Sequence, residues 1–460
     1  MPNPDILKCL ARARRAFTLT TLVLFLGASV SLADDWPQWR GPSRDGVWKE
    51  QGLLQKFEAP QIKIRWRVRV SYGYSGPTVA GGRVYVSDRV VEPKAQERVQ
   101  CFDWRTGHRL WTHTYDCVYA GVSYSDGPRA AVSIDEGRAY SLGAMRHLFC
   151  LDAATGAVLW SKDLNHEYRI RMPIWGIAAS PLIDGDLLIV EIGGSDNACL
   201  VAFDKKSGKE RWHALGDGAN YSAPIVIQQA GKRVLVCRTA DRVVGLDPQS
   251  GALYWEYPYP SRQMPLGIAT PIVDGERLFL CGFYDGSLML RLLPGAHGQG
   301  AEARPAVEKL WQRVGANERN TDALQSIIST PLFLGEHVYG VDSYGELRCL
   351  DARTGDRIWE SRDAVPRSRW ATIHFVKNGD RVWMFNERGQ LIIARLSPKG
   401  FEEISRAQLI RPTTGQLPDR NGVCWSHPAF AYRHVFARND EELVCASLED
   451  PKRQALGAGR

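Results

Sequence analysis

The sequence predicts an all-β fold: an eight-bladed β-propeller of four-stranded antiparallel blades, its ring closed by a strand from the N-terminus. Three observations carry this. A strand–turn–strand phrase recurs five times, as Asp103 to Trp111, Asp152 to Trp160, Asp204 to Trp212, Asp247 to Trp255 and Asp351 to Trp359; the Trp always falls eight positions after the Asp, with a Thr-Gly or Ser-Gly pair between them. A second phrase, a Pro followed by a short apolar run and a Gly-containing turn, starts the units at Pro77, Pro181, Pro271 and Pro331. Finally, the last unit stops at its third strand near Cys445, while a lone strand from Ile62 to Val70, with Trp66 inside it, stands ahead of the first unit.

Each phrase has a physical reading. An Asp carboxylate can accept hydrogen bonds from backbone amides two and three residues on, and Gly supplies the positive φ that closes a tight turn. The apolar residues on either side alternate as they do in strands with one buried face. A Trp at one fixed place per unit reads as a wedge against the neighbouring unit, with an N–H that needs one fixed partner. Asp103, Asp152, Asp204, Asp247 and Asp351 are therefore expected as turn caps, and Trp111, Trp160, Trp212, Trp255, Trp311 and Trp359 as blade-docking residues. In the second phrase Pro fits a first strand, where its missing N–H costs nothing.

Taken in order, residues 1–33 read as a signal peptide. Lys8, Arg12, Arg14 and Arg15 precede an apolar stretch from Thr18 to Val30, too short to span a membrane comfortably, and Ser31-Leu32-Ala33 follows ahead of two aspartates. A retained membrane anchor is the alternative. Residues 34–61 hold Trp36, Trp39 and Trp48 among prolines and glycines, an irregular segment that the Trp side chains pack down. Residues 62–450 form the propeller, with unit-ending Trp residues 43 to 56 positions apart. A seventh unit with turns at Asn378-Gly379 and Arg388-Gly389 lacks both the Asp and the Trp and ends near Ile404. The count of eight rests on it, and a ring of seven blades is the alternative. Pro294 to Glu308 reads as a surface loop, and 451–460 as a mobile tail.

Composition excludes several classes. The formal charge of +7 falls to +4 without residues 1–33, with no Lys/Arg run, so nucleic acid is not an expected partner. Of ten Cys, Cys101, Cys150, Cys349 and Cys445 share one strand position, which favours small buried apolar side chains over a disulfide framework, with bridges between repeats left open. No phosphate loop, Gly-x-Ser-x-Gly, EF-hand loop or zinc-type His spacing is present, so no catalytic or metal-ligating residue is assigned.

The Leu-Asp-x-x-Thr-Gly-x-x-x-Trp phrase, with its Ser/Thr-Pro strand starts, resembles the quinoprotein-type (PQQ-like) propeller repeat over nearly all of the chain beyond residue 33. The resemblance implies a fold shared by quinoprotein alcohol dehydrogenases, which bind pyrroloquinoline quinone and calcium, and by cofactor-free envelope proteins such as the outer-membrane assembly factor BamB. The enzyme branch would bring a vicinal Cys pair and, in many members, a Cys-x-x-Cys-His haem motif; this chain has neither. The expectation is thus a BamB-like, exported, non-catalytic propeller of the periplasm or cell envelope. It would carry no cofactor and bind envelope proteins or peptides. A PQQ-dependent dehydrogenase with PQQ and Ca²⁺, or a carbohydrate- or ligand-binding propeller, are the alternatives.

First strands of a propeller line its central channel, so residues just before each Pro should meet at its mouth. These are Tyr72, Tyr74, Tyr124, Asp126, Trp175, Asn220, Tyr221, Gln325, Arg369, Trp370 and Trp425. An aromatic collar with a few hydrogen-bonding groups is how a small-molecule or sugar site is built. The alternative is that these rings simply fill the wide hole of eight blades.

Overall fold

In the computed structural model, which describes residues 34–294, 304–418 and 420–450, thirty-two strands form eight separate four-stranded sheets, so the ring has eight blades and not seven. The expected signal peptide, the tail and most of the 294–308 loop lie outside the described residues. Blade 1 runs from Thr78–Ala80 to Arg109–Asp116, blade 2 from Ser133–Asp135 to Val158–Asp163, blade 3 from Leu182–Asp184 to Glu210–Ala214 and blade 4 from Ile225–Gln229 to Leu253–Pro258. Blade 5 runs from Ile272–Asp274 to Ala306–Arg313, blade 6 from Leu332–Leu334 to Arg357–Ser361 and blade 7 from Ile373–Asn378 to Gly400–Gln408. Within each, the strands pair antiparallel in chain order, and first strands touch first strands of neighbouring blades around the axis.

Blade 8 takes three strands from the C-terminal part, Ala429–Ala431, His434–Arg438 and Glu442–Ser447, and its outermost from Ile64–Arg69, with Trp66 opposite Cys445. The first and last blades are thereby stitched together by backbone hydrogen bonds, and the ring is closed.

The recurring phrase explains how blades dock. Asp103 Oδ1 accepts from the amides of Arg105 (3.0 Å) and Thr106 (2.9 Å) and from Thr106 Oγ1 (2.8 Å), and Asp152 and Asp204 do the same in their turns. The following Gly156 has φ +76°, and a Cβ there would sit 2.6 Å from the ring of Trp111, the indole of the preceding blade. Glycine is thus required twice over, for its backbone angle and for the room it leaves. Trp66, Trp111, Trp160, Trp212 and Trp311 each donate Nε1–H to the carbonyl of the residue after the Asp position in the next blade, at 2.8, 3.2, 3.2, 3.1 and 2.9 Å. Trp359 finds Ser397 O at 2.8 Å. Trp255 differs: blade 5 carries its insertion where the Thr-Gly turn would be, and the indole instead donates to Gln229 Oε1 of its own blade (2.9 Å), whose amide reaches Leu293 O and Ala306 O of blade 5.

Cys101, Cys150, Cys349 and Cys445 lie directly across the sheet from Trp111, Trp160, Trp359 and Trp66. The nine described cysteines are all buried and free. Two boundaries differ from expectation. The last strand of blade 5 begins at Ala306, inside the expected loop, because Ala306 and Val307 pair with Leu293 and Leu292. That of blade 7 continues past Ile404 to Gln408, which pairs with Gln390 and bridges to Gln61. The one described helix is the short turn Leu164–Tyr168, capped by Asp163. Among the described residues no helix is long and apolar enough to cross a membrane.

In antiparallel blades the turns between strands one and two all fall at one end of the ring, and the connections between blades at the other. Residues 34–61 cross the first of these ends. Trp36 bridges Val79 of blade 1, the amide of Ile134 in blade 2 donates to Pro37 O (2.8 Å), and Trp48 N–H donates to Lys377 O of blade 7 (2.8 Å). Trp36 and Trp48 are each 2 % exposed and pack with Phe430 and Trp383, joining the apolar layers of blades 7 and 8.

Candidate functional site

The axial channel holds a cavity of about 140 Å³ whose wall is built by one register rule. Tyr74, Ala178, Tyr221, Ile268, Ile328 and Trp425 all line it, and each lies three residues before the Pro that precedes its blade's first strand. Three residues of extended chain carry a side chain from that first strand to the mouth, so the same offset delivers one group from each of six of the eight blades. Tyr124, Trp175 and Trp370 complete the collar from the blade connections. Ring centroids are 5.9 Å apart for Tyr124 and Trp175, 6.0 Å for Tyr124 and Trp370, 6.3 Å for Trp370 and Trp425, and 5.3 Å for Trp175 and Tyr221. Tyr124 (φ +54°) and Trp370 (φ +66°) adopt the left-handed backbone conformation. That conformation is strained for a bulky aromatic, and such strain concentrates at binding sites.

Of the expected site residues, Tyr74, Tyr124, Trp175, Tyr221, Trp370 and Trp425 therefore share one cavity. Asp126 stands behind Tyr74, whose hydroxyl donates to its Oδ2 at 3.2 Å; burial raises the Asp126 pKa. Asn220 and Gln325 are buried supports: Asn220 Oδ1 accepts from Gly267 N (2.8 Å), and Gln325 bonds Gly315 N (2.9 Å) and Phe283 O (2.8 Å). Arg369 lies over the Trp370 ring and forms a two-pronged pair with Glu318, at 2.7 and 2.6 Å. Tyr72 lies outside the cavity wall; its backbone bridges Arg89 and its side chain is 40 % exposed on the mouth face.

Sequence reasoning missed the floor. Trp39 rises from the N-terminal segment into the channel, donates Nε1–H to Thr270 Oγ1 (2.8 Å), and meets the His427 ring edge-on at 4.6 Å. His374, whose Nε2 lies 2.8 Å from Trp425 O, stands beside it. Burial pushes His374 down to about 4 and His427 to about 3, so both are neutral. Beneath them Arg44 points across the axis to the carbonyls of Ser180 (3.3 Å), Pro224 (3.0 Å) and Pro181; burial lowers it to about 9, which leaves it charged. The cavity thus opens only towards the blade connections. Ile268, Ile328 and Ala178 were also missed, although the Pro-minus-three register that marks Tyr74 and Trp425 marks them too.

Arg129 is the cationic side chain on the wall. It donates to the carbonyls of Ser123 (3.1 Å), Gly127 and Tyr124, and lies over the Tyr74 ring. The remaining surface is aromatic, Ile and Ala, with Ser180 Oγ occupied by Ala131 N. Pyrroloquinoline quinone carries three carboxylates and, in the dehydrogenases, a calcium ion. A wall with one guanidinium and two neutral imidazoles does not match three carboxylates. No group of three or more His, Cys, Asp or Glu among the described residues could hold a metal ion. The site does not fit the quinone–calcium pair.

The fold and its axial cavity define a quinoprotein-type propeller whose channel is plugged from one side and aromatic on the other. The profile of the family described as outer membrane protein assembly factor BamB matches residues 47–118, 95–320 and 309–456, and the chain belongs to that family. It is similar to the outer membrane protein assembly factor BamB of Shewanella oneidensis, 24 % identical over 236 residues, half of this chain and 56 % of that protein's length. The chain therefore spans little more than half of that relative. Among solved structures, BamB from Moraxella catarrhalis superimposes with a TM-score of 0.55 at 18 % identity, covering 84 % of this chain and 97 % of that one. The quinohemoprotein alcohol dehydrogenase of Comamonas testosteroni superimposes with a TM-score of 0.58 at 14 % identity, covering 89 % and 80 %. At these identities the structural likenesses speak for the fold alone.

Proposed function

We propose that this protein is an exported, non-catalytic propeller that binds other proteins of the cell envelope. The observation that carries the reading is the family match across residues 47–456, taken with an axial site whose donors suit neither a tricarboxylate quinone nor its calcium. The N-terminal segment supports it further. Trp39 and Arg44 fill one end of the channel with packed, hydrogen-bonded side chains. What remains is a rigid ring with broad faces, and rigidity lowers the ordering cost of association.

The test is affinity capture. The mature protein, tagged at its C-terminus, is mixed with solubilised envelope extract and the bound fraction quantified against a tagged unrelated propeller. Reproducible enrichment of the same envelope proteins, persisting at 150 mM salt, is the expected result. Identical profiles for the two baits would overturn the reading.

A further inference from the structure

We propose that the aromatic mouth is a peptide-docking site that takes one aromatic side chain of a partner into the axial cavity, from an extended segment with acidic residues flanking that side chain. This rests on the protein-binding reading above and specifies its chemistry.

Three independent features converge. The first is size and character: about 140 Å³ walled by rings, Ile and Ala matches a single six-membered ring, close to the roughly 150 Å³ apolar cavity that takes up benzene. Bases, sugars and quinones need several polar partners, and on this wall the Tyr74 hydroxyl already donates to Asp126 while the Tyr221 and Ser180 oxygens already accept from the Trp175 and Ala131 amides, which leaves few polar groups to meet them.

The second is the surface around the mouth. Val118 (74 % exposed), Ile174 (45 %) and Met264 (37 %) all sit on connections between blades, the same end at which the cavity opens, and Tyr72 joins them. An apolar pocket on a face that also exposes apolar side chains suits an interface in which one buried aromatic supplies most of the energy, while its surroundings exclude water.

The third is charge. Arg89, Arg129 and Arg388 hold main-chain oxygens, of Ser125, of Ser123, and of Gly422 and Asn421, and none is ion-paired among the described residues. Arg129 lines the cavity, and Arg89 and Arg388 lie at the connection end of blades 1 and 7; Asp126 and Glu387 stand near them with carboxyls that burial holds above their ordinary pKa, Glu387 at about 7, so the mouth carries guanidinium charge. Acidic flanks complement it, and basic flanks would be repelled.

The test uses the mature protein and the pentapeptide acetyl-Glu-Asp-Phe-Asp-Gly-amide in isothermal titration, with Ala in place of Phe, and Lys in place of the three acids, as controls. Free p-cresol is titrated in parallel. Two variants fill the cavity from different blades, Ala178→Trp and Ile328→Trp, each checked for an unchanged melting transition. We expect the Phe peptide to bind at least tenfold tighter than either control, and both variants to lose that preference. Equal binding of Phe and Ala peptides, equal binding of acidic and basic peptides, unaltered binding by a folded variant, or uptake of p-cresol with no peptide binding would each overturn the proposal. Capture of envelope proteins that survives both variants would overturn it while leaving the protein-binding function standing.

Discussion

Among single residues, Glu191 shows how burial sets behaviour. Its side chain is enclosed, Oε1 accepts from Asn220 N at 2.6 Å, and Oε2 has no partner. Burial raises its pKa from the ordinary 4.5 to about 8. The folded protein then holds this proton more tightly than the unfolded chain does. The stability it contributes is complete below the ordinary carboxylate value and is lost as pH rises through the window from 4.5 to about 8. Glu191→Gln should therefore be close to wild type at pH 4.5 and more stable than wild type at pH 8.5, by on the order of 5 kcal/mol. Urea titrations of both proteins at the two pH values measure this; a gap that does not widen with pH would refute it. Nothing in the sequence around Glu191 announces its state, because burial is a property of what the chain brings over it. The Asp-Thr-Gly turns were legible for the opposite reason: their hydrogen bonds close within three residues.

Among the elements, the strand Ile64–Arg69 has the widest reach. Its Trp66 faces Cys445 in blade 8, donates to Trp104 O at 2.8 Å, and covers Gly107 of blade 1. One side chain thus holds the last blade to the first. Trp66→Ala should cost about 3–5 kcal/mol, the range for removing a buried large aromatic. It should move one cooperative transition, with the denaturant slope unchanged, because no part of the ring is independent of its closure. A separate early transition for blade 8 would contradict that view. This strand was readable by counting: one unit lacked a strand and one strand lacked a unit. Residues 34–48 were not readable in the same way. Their contacts are set by Trp39, Arg44 and Trp48 reaching different blades, and such a path has no period in the sequence to betray it.

At the scale of the whole molecule, two relatives of one fold pull towards different expectations, and the cavity wall supports the proposal of a protein-binding propeller over a quinone enzyme. Added pyrroloquinoline quinone with millimolar Ca²⁺ should leave the melting temperature unmoved and no quinone absorbance with the desalted protein. A stabilisation of several degrees would reverse the assignment, since a tightly held ligand must raise the transition. The ring and its blade count were legible because repetition multiplies a weak local pattern. The collar was legible in part, since the Pro register points to the mouth while residue type alone hides Ala178, Ile268 and Ile328. The way the ring is sealed also bears on how the chain is made. The ribosome delivers Ile64–Arg69 hundreds of residues before its neighbour Glu442–Ser447 exists. A product ended early by a stray stop codon would keep that ribbon unmatched and open to proteases. Only a chain translated past Ser447 can hide it, so the architecture doubles as an inspection step for synthesis of the whole ring.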